Sequence, residues 1–328
     1  MIAPYLQKGD VVRVVAPART LALPWMSDEL KHLAQKRLED LGLIVTFGKY
    51  VHERDIFDSS TIQHRIQDLN DAFSDPAVKL ILTVIGGFNS NQILSCLDYN
   101  MIKKNPKRFC GFSDITALSN AMYAKTGLVT YSGPHFFNFG QKRGFEYTQD
   151  AFVRCHFHAD SIILSPSKKY VDGYWATNQD DPSYLPNDGW RVLNKGEASG
   201  TIIGGNLCTL NLLQGTEYMP LPKGNIILFI EDDSDSQPHT FDRDLQSLLH
   251  LPLAEQIKGV IIGRFEKASN MTIEKLVAII ESKRELDGVP IIAEVDFGHT
   301  TPLFTFPIGG KAKMVASQSG TLLEIIEH

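Results

Sequence analysis

The chain has 328 residues, which is long for a single hydrophobic core, so we expect two domains. Its composition is that of an ordinary globular protein, and its net charge of −6 argues against nucleic acid or an anionic membrane as a partner. The cysteines are scattered without a Cys-x-x-Cys pair, and the N-terminus lacks the charged and apolar pattern of a signal peptide. We therefore expect a cytoplasmic protein that has no disulfide framework and no metal site.

The first part of the chain alternates between strand and helix patterns. Apolar runs at 11–16, 43–47 and 78–85 predict strands, and amphipathic patterns at 27–41 and 60–73 predict helices. The third of these strands is apolar at nearly every position, which is typical of a parallel strand that is buried on both faces. The alternation predicts an α/β fold with a doubly wound parallel sheet, whose ligand crevice lies beyond the carboxyl ends of the strands.

Ser113 lies where a short apolar run gives way to an amphipathic helix that ends at Gly127. A sharp turn from strand to helix exposes a hydroxyl beside the unpaired N–H groups of a helix N-terminus, as in the nucleophile elbows of α/β hydrolases. The second glycine of that elbow motif is replaced here by Ile115. Capping of the helix by Ser113 is the simpler interpretation, and this stretch by itself leaves both open.

Gly86 and Gly87 follow the buried strand at 78–85. Such a pair can make a tight turn, or it can let the backbone approach a ligand closely. Neither the dinucleotide-binding fingerprint nor a Walker loop is completed by the residues that follow. Because Gly87 and Ser113 both follow strands of one predicted sheet, the N–H groups of Gly87 and Asp114 could form an oxyanion hole beside the serine.

The sequence from about residue 160 to 195 has no period of either kind, which predicts a long surface loop that joins two domains. Trp175 in this loop could stack on a ligand ring or pack into the domain interface. We expect an N-terminal domain over residues 1–165, this linker or active-site loop over 166–195, and a C-terminal domain over 196–328.

Glu231 and His299 are candidates for the partners of Ser113. A serine nucleophile needs a base within hydrogen-bond reach and a third group that orients the base. Glu231 is the first charged residue after an apolar strand pattern, and His299 lies in a loop after another predicted strand. Taken singly, a solvated acidic turn is the commoner interpretation of Glu231, and a hydrogen-bonded loop imidazole is the commoner interpretation of His299. His135 is the best rival for the base.

Several motifs occur together in one order along the chain. They are Gly86-Gly87 after a buried strand, Gly111 to Thr116 at the start of a helix, Ser132-Gly133-Pro134, Ile203 to Leu207, Glu231 at a strand end, Gly263-Arg264-Phe265 and Gly298 to Pro302. With this set, the chain resembles the LD-carboxypeptidase family of serine peptidases, and in particular its microcin C immunity (MccF-like) branch, from about Lys8 to Leu323.

The resemblance implies roles for residues of the predicted site. It makes Ser113 the nucleophile, His299 the general base and Glu231 the acid that orients the base, and it makes the N–H groups of Gly87 and Asp114 the oxyanion-hole donors. It also implies an N-terminal α/β domain and a smaller β-rich C-terminal domain, with the active site at their interface and the subunits paired as a homodimer. No cofactor is called for.

The resemblance further suggests contacts with the substrate from Phe88, Trp175 and Asn206. Many relatives have tyrosine where this chain has Phe88 and Phe112, so two hydroxyls are missing near the predicted pocket. The chemistry of the triad does not depend on those hydroxyls, but polar contacts from these two positions are lost.

The substrate remains open between two classes. We favour the amide of an aminoacyl-nucleotide such as processed microcin C, because Trp175 could stack on a nucleobase. The alternative is a muropeptide that is cleaved during cell-wall recycling. A hypothesis of another class is a non-catalytic nucleotide-binding protein, in which Ser113, Glu231 and His299 need not meet.

Overall fold

The computed structural model describes residues 1–173, 176 and 179–328. The strands are β1 (Val11–Val15), β2 (Ile44–Phe47), β3 (Val78–Thr83), β4 (Arg108–Cys110), β5 (Thr130–Ser132), β6 (Ile162–Leu164), β7 (Lys169–Val171), β8 (Tyr184–Pro186), β9 (Arg191–Asn194), β10 (Gly196–Asn206), β11 (Ile226–Glu231), β12 (Ile257–Gly263), β13 (Ile291–Val295), β14 (Phe306–Ile308), β15 (Lys311–Ser317) and β16 (Gly320–Glu327).

Helices separate most of these strands. They are α1 (Asp28–Asp40), α2 (Ile62–Ser74), α3 (Tyr99–Lys104), α4 (Thr116–Thr126), α5 (Glu146–Phe157), α6 (Leu207–Asn211), α7 (Pro238–Leu249) and α8 (Ile273–Glu281). Short 3₁₀ turns cover Ser90–Cys96, Ser113–Ile115, Phe136–Gly140, Pro252–Gln256, Lys267–Ser269 and Arg284–Leu286. Within the described residues, no helix is long and apolar enough to cross a bilayer.

The helix boundaries follow local sequence signals. Ser27 caps α1 by accepting a hydrogen bond from the N–H of Leu30, as its position before the amphipathic pattern predicts. Leu30, Ala34 and Leu38 then form the buried face of α1 at steps of four residues. Gly127 ends α4 in the left-handed conformation, which a residue without a Cβ adopts at little cost.

The first sheet has the order β2-β1-β3-β4-β5, and all of these neighbours are parallel. β2 lies on one side of β1, and β3 and the strands after it lie on the other, so the order in which strands are added reverses between β1 and β3. In doubly wound folds the ligand crevice lies at such a point. The expectation of an α/β fold with a doubly wound parallel sheet is therefore confirmed. A sixth strand, β14, pairs antiparallel with β5.

The second sheet has eight strands in the order β6-β16-β15-β10-β11-β12-β13-β9. The four strands from β10 to β13 are parallel, and antiparallel strands flank them on both sides. β15 and β16 pair antiparallel as a hairpin at the end of the chain. This half of the molecule is rich in β structure, as the family resemblance implies.

The two sheets exchange strands across the expected domain boundaries. β6 precedes residue 165 but pairs with β16 in the second sheet, and β14 follows residue 196 but pairs with β5 in the first. Both hydrophobic clusters of the core contain residues from both sheets; one of them includes Val14 of β1 and Phe229 of β11. The division at residues 165 and 196 stays a prediction, since packing joins the two halves closely.

The segment over 166–195 has more regular structure than its sequence predicts. β7 and β8 pair antiparallel, and β9 pairs with β13 at the edge of the second sheet. Val171 also exchanges two backbone hydrogen bonds with Thr301, at 2.6 and 3.1 Å. These strands are only three or four residues long, and pairing with distant segments produces them, so no local period marks them. Trp175 lies outside the described residues.

The carboxylate of Asp296 connects the segment 166–195 to the second sheet through several hydrogen bonds. It is fully buried and accepts hydrogen bonds from the backbone N–H and the hydroxyl of Ser167, at 3.0 and 2.7 Å. The amide of Asn187 and the indole N–H of Trp190 donate to it from the other end of the segment, at 3.2 and 2.8 Å. Arg264 supplies the countercharge at 2.9 Å, so the buried carboxylate is paired.

We expect Trp190→Phe to lower the free energy of unfolding by about 1–3 kcal/mol, because it removes one hydrogen bond to a buried carboxylate. Trp190→Leu also removes the ring that packs 6.5 Å from Phe304, centroid to centroid, so it should cost more. Urea denaturation followed by circular dichroism measures both variants. Unfolding of Trp190→Phe at the wild-type urea concentration would contradict the role given to this indole.

Candidate active site

Ser113 lies at a strained turn between β4 and α4. Its φ is +60°, a conformation that residues with a side chain adopt rarely and that is typical of nucleophile elbows. The turn at Ser113–Ile115 leads directly into α4, and its N-cap residue, Phe112, makes no side-chain capping bond. The hydroxyl of Ser113 instead contacts His299, so the capping interpretation does not account for this residue.

Two features hold this turn against the glycine loop that follows β3. One oxygen of the Asp114 carboxylate accepts from the N–H groups of Asn89 and Ser90, at 3.0 and 2.9 Å, and the hydroxyl of Ser90 donates to the Asp114 carbonyl at 2.6 Å. Gly86 lies so close that a Cβ there would be 3.0 Å from Cβ and 3.1 Å from Oγ of Ser113. A side chain at position 86 would therefore crowd Ser113, which would have to shift by a few tenths of an ångström.

Ser113, His299 and Glu231 form a continuous hydrogen-bond chain. His299 Nε2 is 3.0 Å from Ser113 Oγ, and His299 Nδ1 is 2.7 Å from Glu231 Oε2. Because a carboxylate can only accept, Nδ1 carries a proton, and in the neutral imidazole Nε2 is left to accept from the serine hydroxyl. Gly298 makes this approach possible, since a Cβ at its φ of +102° would be 2.6 Å from Glu231 Oε2.

The charge of Glu231 governs the ionisation of His299. Burial by itself lowers the pKa of His299, but the neighbouring Glu231 charge and its hydrogen bond outweigh burial and raise the pKa to about 9. The carboxylates of Asp233 and Glu266 add to this effect. His299 thus differs from an ordinary histidine, whose pKa is near 6.5.

His135, the rival candidate for the base, is bound elsewhere. Its Nδ1 is 2.7 Å from Thr83 Oγ1, and its ring stacks on Phe112 with 4.5 Å between centroids. Burial, followed by the charge of nearby His299, lowers the pKa of His135 to about 3. The ring of Phe112 also contacts His299 edge-on at 5.5 Å, so this phenylalanine packs between the two imidazoles.

A pocket of about 240 Å³ opens above Ser113 and His299. Gly87 lies in its wall, and the N–H of Asp114 is in the first turn of the helical segment, where N–H groups lack intrahelical acceptors. Gly87 therefore lines the same pocket as Ser113, and Asp114 is the residue that follows the serine; their role as oxyanion donors stays a prediction. A larger cavity of about 430 Å³ lies beside α5 and the segment after β6, but it contains none of the three hydrogen-bonded residues.

Asn206 is placed differently from the other expected substrate contacts. Its side chain is buried and caps α6, where its Oδ1 accepts from the N–H and hydroxyl of Thr209 at 3.1 and 2.8 Å. Its Nδ2 donates to Asp232 at 3.1 Å, and its backbone N–H donates to Thr116 Oγ1 at 3.0 Å. These bonds would have to break before Asn206 could touch a substrate, so the geometry gives it a positioning role.

Phe88 lines the pocket and is 70% exposed, so its ring is available to a substrate. The third expected contact, Trp175, lies outside the described residues. Arg19, Asp233 and Glu266 also line the pocket, and the sequence analysis missed them. The sequence does carry a signal for them, because each follows the carboxyl end of a parallel strand within a few residues, where ligand-binding residues are expected.

The sequence of this site matches a known family over most of the chain. A family model for the LD-carboxypeptidase N-terminal domain matches residues 12–133, and one for the C-terminal domain of the same family matches residues 199–314. The chain belongs to the LD-carboxypeptidase family. It is a serine-type carboxypeptidase, and the predicted resemblance is confirmed.

Individual relatives match over the full length. The carboxypeptidase-like protein YocD of Bacillus subtilis is 51% identical across 100% of both chains. The solved structure of an MccF-like protein from Bacillus anthracis superposes with a TM-score of 0.97 at 49% identity, again over 100% of both chains. The microcin C7 self-immunity protein MccF, solved in complex with aspartyl sulfamoyl adenosine, has a TM-score of 0.89 at 28% identity and covers 100% of this chain and 99% of its own.

We expect NMR titration of ¹⁵N-labelled histidines to show His299 losing its proton near pH 9 and His135 staying neutral down to about pH 3. Glu231→Gln removes the charge that stabilises the imidazolium, so it should move the His299 titration to lower pH. Glu274→Gln, an exposed substitution at the start of α8, is the control and should leave the titration unchanged. An unaltered His299 titration in Glu231→Gln would show that another group sets its pKa.

Proposed function

We propose that Ser113, His299 and Glu231 are a catalytic triad that hydrolyses the amide of aminoacyl-nucleotide compounds such as processed microcin C. The observation that carries this proposal is the hydrogen-bond chain from Glu231 through His299 to Ser113, with distances of 2.7 and 3.0 Å. A non-catalytic nucleotide-binding protein would have no need for these three side chains to meet.

In the proposed mechanism, His299 Nε2 takes the proton of Ser113 as its Oγ attacks the amide carbon. The N–H groups of Gly87 and Asp114 stabilise the oxyanion of the tetrahedral intermediate, and the loss of one such donor typically costs ~3 kcal/mol of transition-state stabilisation. The imidazolium then protonates the leaving nitrogen as the C–N bond breaks. Water, activated by the same imidazole, hydrolyses the acyl-enzyme and restores the serine.

The pH dependence of this mechanism follows from the charge around His299. Only the neutral imidazole can accept the serine proton, so kcat/KM should rise with pH up to about 9, the pKa of His299. The sequence by itself suggests a rise in the ordinary histidine range, between about pH 5 and 8. Glu231 moves the expected rise upward because its negative charge stabilises the protonated ring.

The choice of substrate class rests on the relatives and on the pocket. MccF binds aspartyl sulfamoyl adenosine, and a second MccF complex contains glutamyl sulfamoyl guanosine. Exposed Phe88 in the pocket and Trp175 in the sequence are aromatic side chains of the kind that stack on nucleobases. These observations favour an aminoacyl-nucleotide. Pairing of two subunits remains a prediction from the family resemblance.

A muropeptide is the second candidate substrate. A Bacillus subtilis relative named for murein peptide carboxypeptidase activity is 30% identical over 97% of this chain and 93% of its own length. The same triad would cleave either amide, since the attacking groups contact only the carbonyl and the leaving nitrogen. Mass-spectrometric analysis of products, with both substrates offered side by side, separates the two.

We expect Ser113→Ala, His299→Ala and Glu231→Ala each to lower turnover by several orders of magnitude on whichever substrate the wild type cleaves, with most residual activity in Glu231→Ala. The effects should be strongly non-additive because the three residues act as a unit, so the triple variant should be little worse than Ser113→Ala. Initial rates from the product analysis give these ratios. Near-wild-type turnover by correctly folded Ser113→Ala would disprove the mechanism.

We expect Trp175→Ala to lower kcat/KM for an aminoacyl-nucleotide roughly 5- to 150-fold, because stacking on a base is worth ~1–3 kcal/mol. A muropeptide, which has no base, should be cleaved at nearly the wild-type rate. Trp190→Phe is the matched control, and it should affect both substrates alike. Equal losses on both substrates for Trp175→Ala would remove the stacking role and, with it, one reason to prefer the nucleotide.

A further inference from the structure

Arg19 lies at the point where the strand order of the first sheet reverses. β1 ends at Val15, and Arg19 follows it by four residues, opposite the glycine loop after β3. The N–H of Arg19 donates to the carbonyl of Gly86 at 3.3 Å, which joins the two loops. In doubly wound sheets, the crevice at this reversal is where ligands bind.

The Arg19 side chain lies along the wall that carries the expected oxyanion donor. A Cβ on Gly87 would be 3.2 Å from Arg19 Cγ, so the stem of the arginine contacts the glycine loop directly. The guanidinium carbon is 4.8 Å from the centre of the Phe88 ring, and this cation–π contact steadies it beside the pocket. Among the described residues, no carboxylate forms an ion pair with Arg19, so its charge is available to a ligand.

The pocket is lined by side chains of both charges. Within the described part of the chain, Arg19 is the only lysine or arginine in the lining. Asp233, Asp235 and Glu266 also line the pocket. The charges of Asp233 and Glu266 act on His299, whereas Arg19 lies against Gly87 and Phe88. An anionic group on a substrate is attracted to Arg19 and repelled by these carboxylates, so the charges favour its binding beside Arg19.

We propose that Arg19 binds the anion of the leaving group and thereby selects substrates whose scissile amide is followed by a negative charge. This inference rests on the proposed function of the same site. A terminal residue released by a carboxypeptidase carries its α-carboxylate close to the scissile amide, and a guanidinium can bind a carboxylate through two parallel N–H bonds. A nucleotide leaving group presents a phosphate there, and the planar guanidinium suits that group equally well.

The test compares charged and neutral forms of each leaving group. One pair is a muropeptide with a free C-terminal carboxylate and the same peptide with a C-terminal amide. The other is an aminoacyl phosphoramidate of a nucleoside and its uncharged phosphate methyl ester. The wild type should cleave the charged member of the relevant pair faster, and the pair that responds to Arg19 identifies the source of the anion.

Arg19→Gln should lower kcat/KM for the charged substrate about 10- to 150-fold, the range that corresponds to one hydrogen-bonded charge contact, and should leave the neutral substrate nearly unchanged. Arg19→Lys should keep part of the preference, because it restores the charge without the planar geometry. Arg243→Gln, an exposed substitution on α7, is the control and should preserve the wild-type ratio. A wild-type ratio in Arg19→Gln would overturn the inference.

Failure of the proposed function can be recognised separately. If the wild type cleaves neither pair, the catalytic proposal is wrong, and the role of Arg19 is then decided by binding. Calorimetry on Ser113→Ala should show tighter binding of the charged member of a pair, and addition of Arg19→Gln should abolish the difference. Equal affinities for the charged and neutral members in Ser113→Ala would contradict anion recognition without reference to turnover.

Discussion

The strained turn at Ser113 is the constraint on which the rest of the site depends. A residue with a side chain held at a φ of +60° costs on the order of 1–3 kcal/mol, so neighbouring contacts must hold it there. Asp114 supplies them on one side by binding the N–H groups of the glycine loop. On the other side, Thr116 accepts the N–H of Asn206, which brings the end of β10 to the first turn of α4. The turn is thereby fixed between the two sheets.

The hydrogen bond between Asn206 and Thr116 also determines the position of Glu231. Asn206 pairs with Glu231 at the ends of β10 and β11, so a bond that fixes Asn206 also fixes the neighbouring strand end. Gly205 permits this close approach, because a Cβ there would be 2.5 Å from Thr116 Oγ1. Glu231 then reaches His299 from a buried strand, and its charge is little screened by water. The packing of the second sheet against α4 therefore also determines the pKa of His299, because it positions Glu231.

Asp296 extends this arrangement to the segment that carries Trp175 in the sequence. It lies three residues before His299, and it binds Ser167 near the start of the segment and Trp190 near its end. The bridge between Val171 and Thr301 adds a second attachment, just beyond His299. The Asp296 carboxylate thus connects the loop that contains His299 to Ser167 and Trp190. A substitution that breaks these hydrogen bonds should therefore also shift the position of His299.

The sequence by itself determined the features that depend on neighbouring residues. Helix caps such as Ser27, the strand-to-helix turn at Ser113 and the strand end at Glu231 follow from local periodicity and local hydrogen bonds, and the motif set identified the family. Tertiary structure decided what distant segments do to one another. Four features depend on which strand ends lie close together in the folded chain. They are the pairing of β14 with the first sheet, the positioning role of Asn206, the presence of Arg19 in the pocket and the high pKa of His299. No local pattern encodes that convergence, because pairing and electrostatic energies depend on distances between atoms that lie far apart along the chain.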